Sequence, residues 1–342
     1  HDLLLQKLNW YGIRNNELNW FKSYLANRSQ CTFYDGKLSD ILDINIGIPQ
    51  GSVLGPALFL VFINDLPQSI GNASCNMFAD DVLLWVIGET MIDVNYKMEE
   101  CISMAKEWYD LNKLGVNLPK SNVMPVSTKN QDTSQLTAPI VNGQAIQVVN
   151  NSNYLGLIMD KHLHWDDHIN KVCKSVSSKL FMLKRLRKIL PISALEKVYF
   201  TCIQPTLEYA YTIWGNCTVN LKGKIQRLQN LAARIILNNF DYVNFTGIDL
   251  VDKLGWLKSE DRYKYLISVL MFKSFNDLVP YYMSDTITLD KDIMTYKTRS
   301  DHNMHAHVPK FRTKNLQKAF CVSGPQVWNS LPIEIRTITN LD

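Results

Sequence analysis

No apolar run in the 342 residues is long enough to cross a bilayer; the longest, Ala57 to Ile63, is seven residues, against the roughly 20 that a membrane-spanning helix needs. The chain does not open on a basic-then-apolar signal segment either. Its seven cysteines show no C-x-x-C spacing. Most sit inside apolar runs, as Cys75, Cys101 and Cys202 do, which argues against a disulfide framework or a zinc knuckle and predicts reduced, buried thiols. The expectation is an intracellular protein, nuclear or cytoplasmic, neither secreted nor bound to a membrane. An excess of one charge is also missing: 36 Lys and Arg face 32 Asp and Glu, a net +4. A general polyanion binder is thereby excluded, and any nucleic-acid footprint must come from local clustering. With 46% hydrophobic residues, the chain can bury a sizeable core in two or three substructures.

Against that background one stretch stands out. Ser74 to Phe78 and Val82 to Val86 read as two short apolar strands, and the joint between them carries Asp80 and Asp81. The pattern predicts a β-hairpin with both aspartates at its tip. Adjacent carboxylates raise each other's pKa unless a cation compensates, and a hard divalent ion, Mg²⁺ or Mn²⁺, is the natural compensator. Alone, the dipeptide would read as a solvated turn.

Its context changes that reading. Gly47-Ile48-Pro49-Gln50-Gly51-Ser52-Val53-Leu54-Gly55-Pro56 lies upstream and Asn117 to Lys120 downstream. GIPQGSVLGP, FADD and N-x-x-K, in that sequence, resemble the palm of a reverse transcriptase, in wording closest to the jockey-like non-LTR retrotransposons. Tyr154-Leu155-Gly156, the segment Leu163 to Ile169 and Ser323-Gly324-Pro325-Gln326-Val327-Trp328-Asn329-Ser330-Leu331-Pro332 also look like that family. The resemblance implies an α+β chain in three parts: an incomplete palm over 1–160, an antiparallel sheet backed by helices; a helical thumb-like region over 161–284; and a loop-rich region over 285–342. It further implies that Asp80 and Asp81 are metal ligands, that Lys120 faces a triphosphate, and that Gln50, Gly51 and Ser52 lie beside the incoming nucleotide and the template. Partners would be an RNA template, a DNA primer and deoxynucleoside triphosphates.

The residues between these motifs carry their own patterns. Apolar spacing predicts two short helices broken near Gly12, a hairpin turning at Asp35-Gly36, and a helix over about 54–65 with Pro56 in its first turn. Val94 to Leu111 mark one face of a helix ending at Gly115, read as a C′ glycine. Asn142-Gly143 signals a type I′ hairpin, and Tyr154 to Ile158 reads as a strand. Lys171, Lys174, Lys179, Lys184, Arg185, Arg187 and Lys188 alternate with Ile169, Val172, Val176, Leu180, Leu183 and Leu186, an amphipathic helix with a cationic face. Helices over about 192–214 and 220–238 follow, the latter with Lys222, Lys224, Arg227 and Arg234. The cationic faces are either ordinary solvated surface or a track for a primer-template backbone. His162, His164 and His168 lack the ligand types and spacing of an ordinary zinc site. The tail carries Arg299, His302, His305, His307, Lys310, Arg312 and Lys314.

In the family a third carboxylate precedes a His-x-x-Leu segment, and His1-Asp2-Leu3-Leu4 looks like that segment. The expectation is a chain lacking that aspartate and the fingers, so an RNA-directed DNA polymerase inactive alone. The competing expectation is a non-catalytic nucleic-acid-binding remnant of the same fold. A different metal-dependent phosphotransfer enzyme fits the ordered motifs less well.

Overall fold

The computed structural model describes residues 1–49, 51–128, 131–293 and 304–338. The chain divides into two compact units, His1–Asn150 and Asn151–Asp342.

In the first unit, helices α1 (Asp2–Trp10) and α2 (Asn15–Leu25) bury Leu4, Leu8 and Leu25 against Leu58 of α3 (Leu54–Ile63). Between α2 and α3 the strands β1 (Ser29–Gln30), β2 (Phe33–Tyr34), β3 (Lys37–Leu38) and β4 (Leu42–Asp43) form a hairpin arm. It turns at Asp35-Gly36, where both residues have positive φ. Beyond α3 come β5 (Ser74–Phe78), β6 (Asp81–Trp85) and the long helix α4 (Met91–Leu111). A second small core joins Ile63, Leu66 and Ile70 to Cys101, Ala105 and Trp108 of α4. Four short strands complete the unit: β7 (Asn122–Val123), β8 (Ile140–Val141), β9 (Gln144–Ala145) and β10 (Gln147–Val148). Asn142 and Gly143 both take positive φ between β8 and β9, as a type I′ turn requires.

The α+β class holds, but the expected single antiparallel sheet does not. Among the described residues the strands form separate two-stranded ladders, and the ladder of β10 with β7 is parallel. Most of these strands are two residues long. The end of α4 also differs from expectation. Leu114 N–H donates to Tyr109 O at 3.0 Å and Lys113 N–H to Asp110 O at 3.1 Å, the paired bonds of a Schellman cap. The left-handed position is therefore Lys113, at φ +55, and not Gly115.

The second unit opens on a hairpin of β11 (Asn151–Tyr154) and β12 (Leu157–Asp160). Tyr154 to Ile158 is therefore not one strand, because Leu155 and Gly156 form its turn at φ +47 and +82. The three atoms nearest to a Cβ built at Gly156 all belong to the Tyr209 side chain, the first at 3.4 Å. The Tyr209 hydroxyl donates to Leu155 O at 2.7 Å. Helix α5 (Asp166–Leu186) buries Ile169, Val172, Val176, Leu180 and Leu183, the stripe that the alternation predicts. Its aspartates fall in the first turn and Lys184 and Arg185 in the last, the polarity that the helix dipole favours.

The helix expected over 192–214 is broken twice. Helix α6 (Ile192–Val198) passes into a π turn (Tyr199–Ile203), then α7 (Gln204–Glu208), and α8 (Tyr211–Trp214) begins after Ala210 at φ +51. Pro205 supplies the first reason, since it lacks the N–H that would continue the α ladder. Helix α9 (Val219–Leu237) matches expectation, and α10 (Gly247–Lys253) and α11 (Ser259–Phe275) extend the bundle. Helix α12 (Tyr281–Ser284) closes the region expected to be helical. Among the described residues beyond it, the part expected to be loop-rich holds α13 (Asp290–Ile293), α14 (Lys314–Lys318), α15 (Phe320–Asn329) and α16 (Ile333–Arg336). Val322 and Trp328 are buried. Trp328 Nε1 donates to Met304 O at 2.8 Å, and the Asn329 amide both donates to and accepts from Ala306.

The Schellman cap generates a stability test. A side chain in the left-handed region costs about 1 kcal/mol that glycine avoids. Lys113→Gly should raise the urea midpoint of the first unit by roughly that free energy, and an unchanged or lower midpoint would count against the cap geometry.

Candidate active site and nucleic-acid surface

Strands β5 and β6 pair antiparallel from Ser74↔Trp85 to Phe78↔Asp81. Cys75, Met77, Val82 and Leu84 pack toward α4, so the alternation leaves Phe78 and Asp81 on the outer face. Ala79 and Asp80 form the two-residue turn, and Asp81 is the first ladder residue after it. Ala79 takes φ +52, a conformation that costs about 1 kcal/mol in a residue with a Cβ. Both aspartates are exposed. Neither carboxylate has a hydrogen bond or ion pair among the described residues, and no group of three or more His, Cys, Asp or Glu side chains there is placed to hold a metal ion. Two hard oxygen donors, water-accessible and uncompensated, suit Mg²⁺ or Mn²⁺ in kind and fall short in number.

The remaining expected residues are less simply arranged. Gln50 lies outside the described residues. Gly51 is exposed at φ +79. The Ser52 hydroxyl accepts from Gly55 N–H at 3.0 Å, so it caps the start of α3. Lys120 is exposed in a single 3₁₀ turn, Leu118–Lys120. Gly51, Ser52 and Lys120 make no hydrogen bond or ion pair with either aspartate.

Sequence reasoning missed the brace behind this hairpin. Lys7 Nζ donates to Asp65 Oδ1 at 2.8 Å and to Phe62 O at 2.7 Å, and lies 4.6 Å from the Phe62 ring centroid and 4.8 Å from that of Trp108. One ammonium thus ties α1 to the end of α3 and to α4. Asp65 is thereby engaged and does not serve as a free carboxylate. The partners stand 58 residues apart, beyond the reach of any local pattern. All seven cysteines are free, and burial pushes Cys101 up to about 11. Cys202, expected to be buried, is exposed on the π turn.

In the helical unit the cationic residues separate into two groups. Lys179 Nζ donates to Cys202 O at 2.9 Å and to the Thr206 hydroxyl, holding α5 to the π turn. Arg187 donates to Asn238 Oδ1, and Lys171 reaches Gly156 O at 3.4 Å. On α9, Lys222 pairs with Glu260 at 3.7 Å and Lys224 donates to Asn170. Arg234 is buried and bonds the carbonyls of Asn239, Asp241 and Phe245; it is no part of a surface. Lys174, Lys184, Arg185, Lys188 and Arg227 are exposed, without a hydrogen bond or ion pair among the described residues.

The three histidines do not converge on a metal. His168 is buried, its Nδ1 accepts from Ile158 N–H at 3.3 Å, and its Nε2 has no hydrogen-bond partner among the described residues. His162 and His164 sit with ring centroids 5.6 Å apart in a loop whose N–H groups bond Asp160. In the tail, His305 and His307 both contact Asp290 through Nδ1, at 2.8 and 3.3 Å. Arg299 and His302 lie outside the described residues.

Residues 1–159, just under half of the chain, match the reverse transcriptase (RNA-dependent DNA polymerase) family. Its relatives narrow the kind. It is 29% identical over 225 residues to a probable RNA-directed DNA polymerase from transposon X-element of Drosophila melanogaster, covering 63% of this chain and 24% of that protein. It is 28% identical over 265 residues to the corresponding probable polymerase from transposon BS of the same species, covering 72% and 28%. To the RNA-directed DNA polymerase from mobile element jockey of Drosophila funebris it is 26% identical over 257 residues, covering 71% and 28%. The chain is similar to these mobile-element polymerases and spans about a quarter of their length.

His168 yields a pH test. Burial, and secondarily the Lys171 charge, hold its imidazole below the usual 6.5. A depressed folded-state value means that the unfolded chain takes up the proton first, so the contribution is complete above about 6.5 and declines as pH falls below it. Unfolding of the second unit followed by urea at stepped pH should show stability falling below pH 6.5. His168→Gln should flatten that fall; an equally steep decline in the variant would remove His168 as its source.

Proposed function

We propose that this chain carries the metal-binding carboxylates and the nucleic-acid-binding helices of an RNA-directed DNA polymerase. The observation behind it is the placement of Asp80 and Asp81, exposed and uncompensated at the tip of the β5–β6 hairpin within the family-matched residues. In this reading Asp80 is the principal ligand of a divalent ion, Mg²⁺ or Mn²⁺, and Asp81 an accessory one. When bound, such ions stabilise the attacking and leaving oxygens of an in-line displacement at phosphorus. Lys120 faces the triphosphate of a deoxynucleoside. Gly51 brings its backbone close to the incoming nucleotide and the RNA template, and Gln50 and Ser52 flank it. Helices α5 and α9 form a thumb-like track along the RNA template and DNA primer.

A second reading, a non-catalytic nucleic-acid-binding remnant, is favoured by one observation: no third carboxylate joins Asp80 and Asp81 among the described residues. RNA-templated incorporation of deoxynucleotides separates the two. The polymerase reading expects incorporation, either by this chain or by a longer polypeptide containing it, and expects Asp80→Asn to reduce it by about 100-fold or more. Incorporation unchanged in Asp80→Asn would remove Asp80 from the chemistry. No incorporation by either polypeptide, with nucleic-acid binding intact, would leave the remnant.

Two carboxylates give too few fixed oxygens for a tight octahedral site. Mn²⁺ titrated while paramagnetic broadening is followed at β5 and β6 should bind with a dissociation constant of about 1 mM, comparable to the weakest protein sites for hard cations. Micromolar affinity would show that a further ligand completes the site.

The nucleic-acid track makes a separate prediction. Replacing Lys174, Lys184, Arg185 and Lys188 by Gln should lower the slope of log affinity against log salt by about 3.6 for a primer-template duplex, close to 0.9 for each phosphate that is no longer neutralised. The same change at Lys179 or Arg187 should act on stability instead. An unchanged slope in the quadruple variant would remove α5 from the interface.

A further inference from the structure

The loop joining α9 to α10 is held from within and presents its rings outward. The buried Arg234 guanidinium donates to the carbonyls of Asn239 at 3.3 Å, Asp241 at 3.1 Å and Phe245 at 2.7 Å. Asp241 turns its carboxylate inward onto Val243 N–H, Asn244 N–H and the Asn244 amide. Thr246 and Asp249 close the segment with a capping box. So many internal bonds hold the backbone in one conformation. Its side chains do not fold in with it: Tyr242 is 67% exposed and Val243 92%.

Tyr242 has a specific environment. The Arg234 guanidinium carbon lies 4.1 Å from its ring centroid, so one ring face rests on a fixed cation while the ring remains largely exposed. Two residues earlier, Phe240 stands 5.7 Å from the guanidinium of Arg187, and Arg187 also bonds Asn238. The C-terminal end of α5 therefore abuts this loop, and the uncompensated Lys184, Arg185 and Lys188 lie within one turn of Arg187. The loop's one acidic residue, Asp241, is engaged as above, and Asp249 in the first turn of α10 bonds Thr246. At the end of α5, Lys184, Arg185 and Lys188 are exposed, with no hydrogen bond or ion pair among the described residues.

The geometry points to Tyr242 as a stacking platform for an unpaired base of single-stranded RNA or DNA whose phosphates lie on the end of α5. An aromatic ring held flat beside cations is the combination that single-strand binding uses, because every base has a π face and every nucleotide a phosphate. An apolar protein partner would not call for the cations, and an acidic one would not call for the ring. The inference rests on the nucleic-acid reading of the helical unit, and its test separates the two.

The test measures the affinity of the full chain for a short single-stranded RNA, for the same RNA with abasic sites, and for a blunt duplex, each across a salt series. Tyr242→Ala should weaken single-strand binding by about tenfold. Its duplex affinity and salt slope should stay unchanged, and Tyr242→Phe should restore the loss. The abasic strand should bind wild type and Tyr242→Ala alike. Equal single-strand affinity for wild type and Tyr242→Ala overturns the platform while leaving the α5 track standing. Absence of salt-dependent binding of either strand type by the wild-type chain overturns both.

Discussion

The apolar stripe of α5 is the constraint on which the helical unit depends. Ile169, Val172, Val176, Leu180 and Leu183 are all buried, and they meet residues of α6, α7, α9 and β12 in one continuous core. Five residues at three- and four-residue spacing fill one face of a 21-residue helix, and the opposite face is left to water. That is where the cations are. The stripe therefore decides which basic residues can be offered to a polyanion before any of them meets one.

A count of basic residues overstates what that face offers. Lys179 and Arg187 lie toward the packed side and bond the π turn and Asn238, so they fasten α5 to its neighbours. Arg234 has gone further, into the core, where three carbonyls and an aromatic ring replace its water. Burying a guanidinium without a carboxylate is costly unless its donors are met, and here they are met by backbone, which makes the 239–245 loop rigid as a consequence. One residue type thus performs two opposed tasks on adjacent helices. Exposed lysines and arginines keep their charge available, and buried arginines convert theirs into backbone order.

Local signals are legible in the sequence and long-range ones are not. The α5 stripe, the type I′ turn at Asn142-Gly143 and the FADD hairpin each follow from residues within a few positions of one another, where side-chain periodicity and allowed φ act directly. The α4 terminus misleads because Gly115 is the usual left-handed residue and Lys113 is not; the observed bonds place the cap two residues earlier. The break near 205 is visible in principle, since Pro205 removes a helix donor, but the apolar pattern runs through it. The Lys7–Asp65 pair and the Arg234 loop carry no local signature. Both are tertiary solutions to satisfying a charge away from bulk water. At the candidate site, the pairing of Asp80 and Asp81 is legible, whereas the use of Ser52 as a helix cap is not.

The β5–β6 hairpin has a different logic from the helical unit. Its inner side chains are anchored on α4, and α4 is in turn tied through Trp108 to Lys7 and through it to Asp65 and α1. Its tip is the opposite: a strained alanine and two carboxylates with nothing to bond among the described residues. Two negative charges on neighbouring residues repel more weakly in water than in the interior, so exposure lowers the cost of setting the two side chains next to each other without a partner. The same exposure leaves a cation arriving there to compete with solvent, and the rigid base fixes where the two carboxylates meet it. An anchored hairpin with an unsatisfied tip is thus a site whose position is built by the fold and whose affinity must be completed by what binds.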